Sequence, residues 1–250
     1  MGTNHPVAVD IVLALSSSLM NQTRANEAAE MQKQALGACI DVHGPEHTKT
    51  LMVMNMLATS YVYGGRFQAA MDLYEEAIAK LEKTKGMSDE DTLRAVDGLG
   101  RLMMRYQRHG EAESLHKKAA KGLEKALGKT NLDTLTAEAS LAMAKLQLQG
   151  DRIPAAHDLI EHVYEERKKQ LGKEHPLTLL ASCDFARIEA ALGNTEKAEE
   201  RMRGAFGHCK EKSWRGPSGS LAGYGAFGQP LRANTTVPRS REYSSPGYTA

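Results

Sequence analysis

Hydrophobic and polar positions alternate along this chain with the spacing of amphipathic helices. Apolar residues three, four and seven positions apart mark one face of a helix, and segments of this kind occur in pairs through most of residues 3–207. Breaks rich in glycine and polar residues separate the two segments of a pair, at 64–66, 108–110, 150–152 and 193–194. The pattern predicts a helical hairpin that is repeated along the chain.

The hairpins recur with a nearly constant period. A glycine returns after 42, 42, 42 and 44 residues, at Gly2, Gly44, Gly86, Gly128 and Gly172. Six residues after each glycine lies the position that we number offset zero, occupied by Ala8, Thr50, Thr92, Thr134 and Thr178. The fourth unit carries two extra residues near 147–149. We therefore expect five units, at about 3–43, 44–85, 86–127, 128–171 and 172–207.

Small residues recur at three offsets, +8, +20 and +27, where they let two helix backbones approach closely. A larger side chain there would overpack the hairpin, at a cost of about 1–3 kcal/mol. The repeated glycine suits a left-handed helix C-cap. Asp89 and Asn131 supply N-cap chemistry, and Pro6 and Pro176 suit the first position of a helix.

The pattern resembles the tetratricopeptide repeat. The resemblance rests on Leu or Phe at +7, a small residue at +8, Tyr61, Tyr74, and alanine at +20 and +27. The 42-residue period and the segments 65–70 and 171–179 resemble the longer variant found in kinesin light chains and in the repeat arrays of NOD-like signalling NTPases. This resemblance implies an all-α, right-handed superhelical solenoid of about five helix-turn-helix repeats that binds proteins through its concave face.

Composition narrows the function further. The 250 residues carry a net charge of +1 and only 5% aromatics, which gives neither an electrostatic footprint for nucleic acid nor stacking platforms for single strands. No apolar run reaches the length of a membrane span. Three dispersed cysteines, Cys39, Cys183 and Cys209, favour a reducing compartment. We expect a cytoplasmic protein with no nucleic-acid or membrane partner.

The two ends of the array differ from its middle. Residues 208–250 are rich in Gly, Pro and Ser and lose the repeat register, so we expect a disordered, basic tail. The first unit begins with an apolar segment instead of the polar face that a terminal repeat needs. Two interpretations follow: the chain is a piece of a longer array, or its first helix packs on a partner or on a second copy of the chain.

Candidate catalytic and metal-binding motifs are weak. Gly128-Lys129-Thr130 resembles the end of a phosphate-binding loop, but Leu123 replaces the required glycine, and the segment joins two helices. His157 and Glu161 share a helix face without a metal-binding motif, and Cys183 has no neighbouring base. We expect no enzymatic activity, no cofactor and no metal.

A concave groove is the remaining candidate site. By resemblance, offsets +2, +5, +9, +12 and +13 of each first helix point into it. Arg94, Arg101 and Arg105 are spaced by seven and four residues, so they share one helix face whatever the family. Three guanidiniums on one face favour a carboxylate-bearing ligand, and the alternative is a solvated surface. Asn55 matches the family's asparagine pair only in part, and Arg187 is a further candidate.

The sequence thus predicts a non-catalytic scaffold or adaptor that binds a peptide or protein segment, one with acidic groups, in the groove at Asn55, Arg94, Arg101, Arg105 and Arg187. Two alternatives stay open. One is the regulatory repeat arm of a NOD-like signalling NTPase, and the other is a cargo adaptor like a kinesin light chain, although single Asn55 argues against the latter.

Overall fold

The computed structural model describes residues 6–21 and 24–211, with side-chain positions for 10–19 and 24–205. This part of the chain holds ten α-helices and no strand: α1 Pro6–Asn21, α2 Ala25–His43, α3 Thr48–Tyr63, α4 Phe67–Lys85, α5 Glu90–Arg105, α6 His109–Leu127, α7 Leu132–Leu148, α8 Arg152–Leu171, α9 Pro176–Ala191 and α10 Thr195–Glu211. None of these helices is long and apolar enough to cross a membrane.

The helices stack as five hairpins in two layers. Each helix packs against the next one in the chain, and α3, α5, α7 and α9 also contact one another in sequence. The first helices of the units therefore form the inner, concave layer, and the second helices α2, α4, α6, α8 and α10 form the outer layer. This is the predicted all-α solenoid.

The small residues predicted to lie between helices are buried. The residues at offsets +8, +20 and +27 are almost without solvent contact. They are Ser16, Ala58, Gly100, Ala142 and Ala186 at +8, Ala28, Ala70, Ala112, Ala156 and Ala198 at +20, and Ala35, Ala77, Ala119, Val163 and Ala205 at +27. Apart from Ser16 and Val163, these residues carry a methyl group or less, which leaves room for the backbones of neighbouring helices to approach. Their burial is as the repeat predicts.

A turn built from the repeated glycine and threonine joins successive units. The Thr50, Thr92 and Thr134 hydroxyls donate to the carbonyl oxygens of the glycines six residues earlier, at 2.8, 3.0 and 2.9 Å. The glycines have the expected positive φ, as at Gly86 (87°), but a ψ of 164° there lies outside the left-handed helical region. That combination of angles is essentially restricted to glycine, which explains why it recurs.

The helix starts are capped as predicted, with one addition. Asp89 and Asn131 accept hydrogen bonds from backbone nitrogens two residues on, at 3.0 and 2.8 Å. His47 and His175 do the same through Nδ1 at 3.2 Å, and Pro176 occupies the first helical position. Histidine is not a preferred N-cap residue, so these two caps were not predicted.

Boundaries differ from the prediction at two places. The two extra residues of the fourth unit do not lie in the turn: α7 and α8 have 17 and 20 residues, one more each than the 16 and 19 of α5 and α6. Helix α10 continues to Glu211, four residues into the segment predicted as tail. The rest of that predicted tail, residues 212–250, lies outside the described residues.

Candidate binding groove

A cavity of about 440 Å³ opens on the concave face between the inner helices of units two to five. Its walls come from α3, α5, α7 and α9, and three side chains of outer helices reach between them: Tyr74, His116 and Arg167. Apolar and hydroxyl groups make up most of the remaining lining, namely Thr59, Val62, Tyr63, Met104, Thr136, Ala139, Ser140, Met143, Leu177 and Leu180. The size suits the anchoring side chains of a ligand.

The five predicted site residues divide into two groups. Arg101 and Arg105 line the cavity, whereas Asn55, Arg94 and Arg187 do not. Arg105 is exposed, and it forms no ion pair with any described residue. Its guanidinium is therefore the cation at this site that is available to a ligand.

Arg94 is already satisfied within the array. Its guanidinium lies 3.1 Å from Glu90, 2.8 Å from Asp91 and 2.8 Å from Asp133. Asp133 belongs to α7, so the arginine joins the inner helices of two successive units. These three carboxylates neutralise the charge of the Arg94 guanidinium. Arg94 therefore has a structural role, which the spacing of the three arginines in the sequence did not reveal.

A buried carboxylate holds the second arginine. Asp97 pairs with Arg101 on the same helix, and its Oδ1 lies 2.7 Å from Nδ1 of the fully buried His116. Burial alone would raise the pKa of Asp97, but Arg101, His116 and Ser140 outweigh it and hold the pKa below its ordinary value. Asp97 is therefore ionised, and His116 Nδ1 donates the proton of this hydrogen bond.

Tyr74 completes this polar cluster from the outer helix of unit two. Its hydroxyl lies 2.8 Å from the Thr59 hydroxyl, and burial raises its pKa. Burial would lower the pKa of Arg101, but Asp97 and the hydroxyls of Tyr74 and Tyr63 raise it instead. The Arg101 guanidinium is fixed in place by these contacts, so it shapes the wall beside Arg105.

An arginine also lies in the core of the fourth unit. Arg167 is almost fully buried and donates to the Leu177 carbonyl at 3.2 Å and to the Thr136 hydroxyl at 2.9 Å. Its Nε has no hydrogen-bond partner. Burial lowers the pKa of Arg167, and the nearby charge of Asp184 opposes that shift.

The other side of the cavity carries a carboxylate. Asp184 is buried in α9, and burial raises its pKa to about 6, against the opposing effects of Arg187 and Arg167. The Arg187 guanidinium, predicted to bind a ligand, lies 3.4 Å from the Asp184 carboxylate and pairs with it. Asn55 is a half-buried residue of α3, and its buried Oδ1 has no hydrogen-bond partner among the described residues.

Asp97, at offset +5, is one of the positions expected to face the groove, whereas no sequence pattern predicted His116, Arg167 or Asp184 as members of this site. A signal existed for Arg167, because its offset in the other units holds the buried apolar residues Cys39, Leu81 and Leu123. No side chains in the described part of the chain are grouped as ligands for a metal ion. Within the described part of the chain, the arrangement offers one cation without an ion-pair partner, Arg105, beside an apolar cavity, and such a site is suited to binding a ligand.

Fold and groove together define a class of helical repeat protein. Residues 10–83 match the family model described as the tetratricopeptide repeat. The fold is that of a tetratricopeptide repeat array, as the sequence pattern predicts, and its 42-residue period resembles that of the kinesin-light-chain-like variant. No curated protein sequence matches the chain.

Solved structures share this fold. A kinesin-light-chain-like protein from Podosopora anserina with nearly identical repeats is 24% identical, with a TM-score of 0.61, over 83% of this chain and 98% of that one. BtubC (BKLC) from P. vanneervenii is 15% identical, with a TM-score of 0.64, over 98% of this chain and 88% of that one. A Rap protein complexed with Competence and Sporulation Factor is 12% identical, with a TM-score of 0.67, over 80% of this chain and 53% of that one.

Proposed function

We propose that this protein is a non-catalytic scaffold of the cytoplasm that binds a peptide or protein segment in its concave groove. The observation that carries the proposal is Arg105, an exposed guanidinium without an ion-pair partner among the described residues, at an apolar cavity bounded by four inner helices. A carboxylate of the ligand would pair with Arg105, and an apolar side chain beside it would enter the cavity near Met104 and Met143. Arg94 and Arg101 are neutralised internally, so they shape the groove.

The structural comparisons support a binding role of this kind. Tetratricopeptide arrays are typically non-catalytic interaction scaffolds, and the Rap protein with a similar fold is complexed with Competence and Sporulation Factor. Because fold alone does not define a ligand, the acidic character of the partner rests on the residues of this groove.

A peptide array tests the proposal. Peptides that contain Asp or Glu next to a large apolar residue are screened for binding, together with copies in which Gln or Asn replaces the acid. We expect Arg105→Gln to weaken binding of the acidic peptides by about tenfold or more, the value of a charge-assisted hydrogen bond. The matched control is Arg203→Gln, which neutralises an exposed arginine far from the cavity.

The position of the bound peptide is tested separately. A photo-reactive side chain introduced at Tyr63, which lines the cavity, should crosslink to the bound peptide. Equal affinity of the two arginine variants, or no crosslink from position 63, would contradict the proposal.

A second candidate function, self-association, is favoured by one observation on α1. Ile11 at offset +3 is 62% exposed, whereas the residues at +3 in the other units, Val53, Ala95, Ala137 and Ala181, are fully buried. Leu15, predicted to share the core-facing pattern, is 50% exposed. These α1 residues occupy the face that packs against a preceding outer helix in the later units.

Sedimentation at several protein concentrations tests self-association. We expect the average mass to rise with concentration and Ile11→Lys to suppress that rise. Met52→Lys, at an exposed apolar position of α3, is the control and should leave it unchanged. A constant monomer mass rules this candidate out.

A further inference from the structure

Four lysines form an exposed row on the outer helix α6. Lys117, Lys118, Lys121 and Lys125 fall within an arc of about 100° because successive helical residues turn by about 100°. All four side chains are exposed, and none forms an ion pair with a described residue. We refer to these four residues as the basic row.

The basic row is specific to the third unit. Its four offsets, +25, +26, +29 and +33, carry a charge of +4 there. In the second unit the same offsets hold Glu75, Glu76, Ala79 and Lys83, and in the fourth they hold Glu161, His162, Glu165 and Lys169. Two acids and one lysine give −1 in each of those units. The row is therefore not a requirement of the repeat.

Lysines on the neighbouring outer helices are compensated. Lys80 lies 2.6 Å from Glu76, Lys83 lies 2.8 Å from Glu46, and Lys168 lies 3.1 Å from Glu165. Two pairs within the row, Lys117–Lys121 and Lys121–Lys125, instead place like charges four residues apart, which destabilises a helix. The helix dipole stabilises the positive charge of Lys125, which lies in the last turn of α6. The other three lysines lie before that turn. An external anion would relieve this repulsion.

The surroundings of the row limit the shape of that anion. Exposed acidic residues occupy the first of these offsets on both flanking outer helices, Glu75 on α4 and Glu161 on α8. A nucleic-acid duplex or a membrane surface would extend beyond α6 and bring phosphates over those carboxylates. A single extended chain that runs along α6 would keep its acidic groups over the lysines and away from those carboxylates. The row is about 12 Å long, which corresponds to about four extended residues.

We propose that the basic row binds an extended acidic segment of a partner protein, at a surface separate from the concave groove. The outer helix α6 presents the lysines, and α4 and α8 exclude broader polyanions. The full chain thus has two binding surfaces, one in each layer of the array.

Fluorescence anisotropy with the full chain and a labelled peptide that contains a run of glutamates tests this proposal. The variant replaces Lys117, Lys118, Lys121 and Lys125 with Gln. The matched control replaces Lys33, Lys169, Lys173 and Lys197, four exposed lysines elsewhere, so both variants lose the same charge. Exposed ion pairs contribute little singly, but four together should make the loss of affinity about tenfold.

Three results support the proposal: the α6 variant loses this affinity, the control changes by less than about twofold, and a peptide with glutamine in place of glutamate does not bind. Arg105→Gln should leave binding of the glutamate peptide unchanged, which separates this surface from the groove. Equal losses in both lysine variants would overturn the proposal. Binding to vesicles that contain phosphatidylserine, or to duplex DNA, that is tighter than binding to the glutamate peptide would also overturn it. Circular dichroism checks that both variants keep their helix content.

Discussion

The ring of Tyr74 lies directly against the backbone of Gly98, on the neighbouring inner helix. A Cβ atom added at Gly98 would stand 2.5 Å from Cε1 of Tyr74 and 2.7 Å from its hydroxyl oxygen. The glycine therefore makes room for a buried ring that reaches the groove through the Thr59 hydroxyl. This contact explains why glycine follows Asp97 in α5.

Gly98→Ala should destabilise the array by about 1–3 kcal/mol, because the added methyl group would overlap a buried ring that cannot move freely. Urea unfolding followed by circular dichroism measures the change. Gly37→Ala is the matched control: its Cβ would meet nothing within 4 Å, so alanine there should stabilise the helix by about 0.5–1 kcal/mol. Equal effects of the two substitutions would contradict the contact with Tyr74.

Thr92→Val tests the glycine–threonine turn. Thr92 donates to the Gly86 carbonyl, whereas the hydroxyl of the equivalent Thr178 is buried and without a hydrogen-bond partner. Valine at position 92 should therefore cost about 1 kcal/mol, and valine at position 178 should cost nothing or stabilise the protein. Thermal unfolding of both variants gives the comparison. A larger loss at 178 would show that the hydroxyl of Thr178 has a role in stability.

Much of the fold was predictable because the same small and apolar residues recur at the same offsets in five units. Ala28, Ala70, Ala112, Ala156 and Ala198 stand at one offset, and every one is buried. Glycine and threonine six residues apart also marked each turn. The distribution of the two extra residues between α7 and α8 was not predictable, since helix length there depends on packing against both neighbours.

The site was predictable only in part because some of its charge partners come from other helices. The spacing of Arg94, Arg101 and Arg105 placed them on one face correctly. The sequence did not show that Asp133, 39 residues later, would neutralise Arg94. Nor did it show that Asp97 would be buried between Arg101 and His116. Which guanidinium stays free depends on those contacts.

Glu138→Gln should remove a pH-dependent loss of stability. Glu138 is buried at an offset where Met54 and Val96 stand in other units. Burial, helped by the charge of Glu124 and opposed by that of Lys129, raises its pKa to about 7. His162 Nε2 lies 3.7 Å away. Since the folded pKa exceeds the unfolded one, this carboxyl lowers stability progressively as the pH rises from about 4.5 to about 7.

The variant should be more stable than the wild type by about 1–3 kcal/mol at pH 8 and nearly equal to it at pH 4. Chemical denaturation across that range measures the difference. Glu124→Gln should give a smaller shift in the same direction, because it removes only one contribution to the raised pKa. A difference that does not vary with pH would show that folding leaves the pKa of Glu138 unchanged.

Arg167 provides the last test, because the other repeats show what its position normally holds. Leu81 and Leu123 fill the same offset as buried side chains, whereas Arg167 makes two hydrogen bonds and leaves its Nε without a partner. A buried charge with incomplete compensation is often replaced by an apolar residue without loss of stability.

Arg167→Leu should therefore match or exceed the wild type in free energy of unfolding, while Arg167→Ala should lose about 2–4 kcal/mol through the cavity it leaves. The leucine variant should also raise the pKa of Asp184 above its present value of about 6, since Arg167 is one of the charges that lower it. Nuclear magnetic resonance titration of the Asp184 carboxyl measures that change. If Arg167→Leu were instead as unstable as Arg167→Ala, the hydrogen bonds to Leu177 and Thr136 would outweigh the cost of burying the guanidinium.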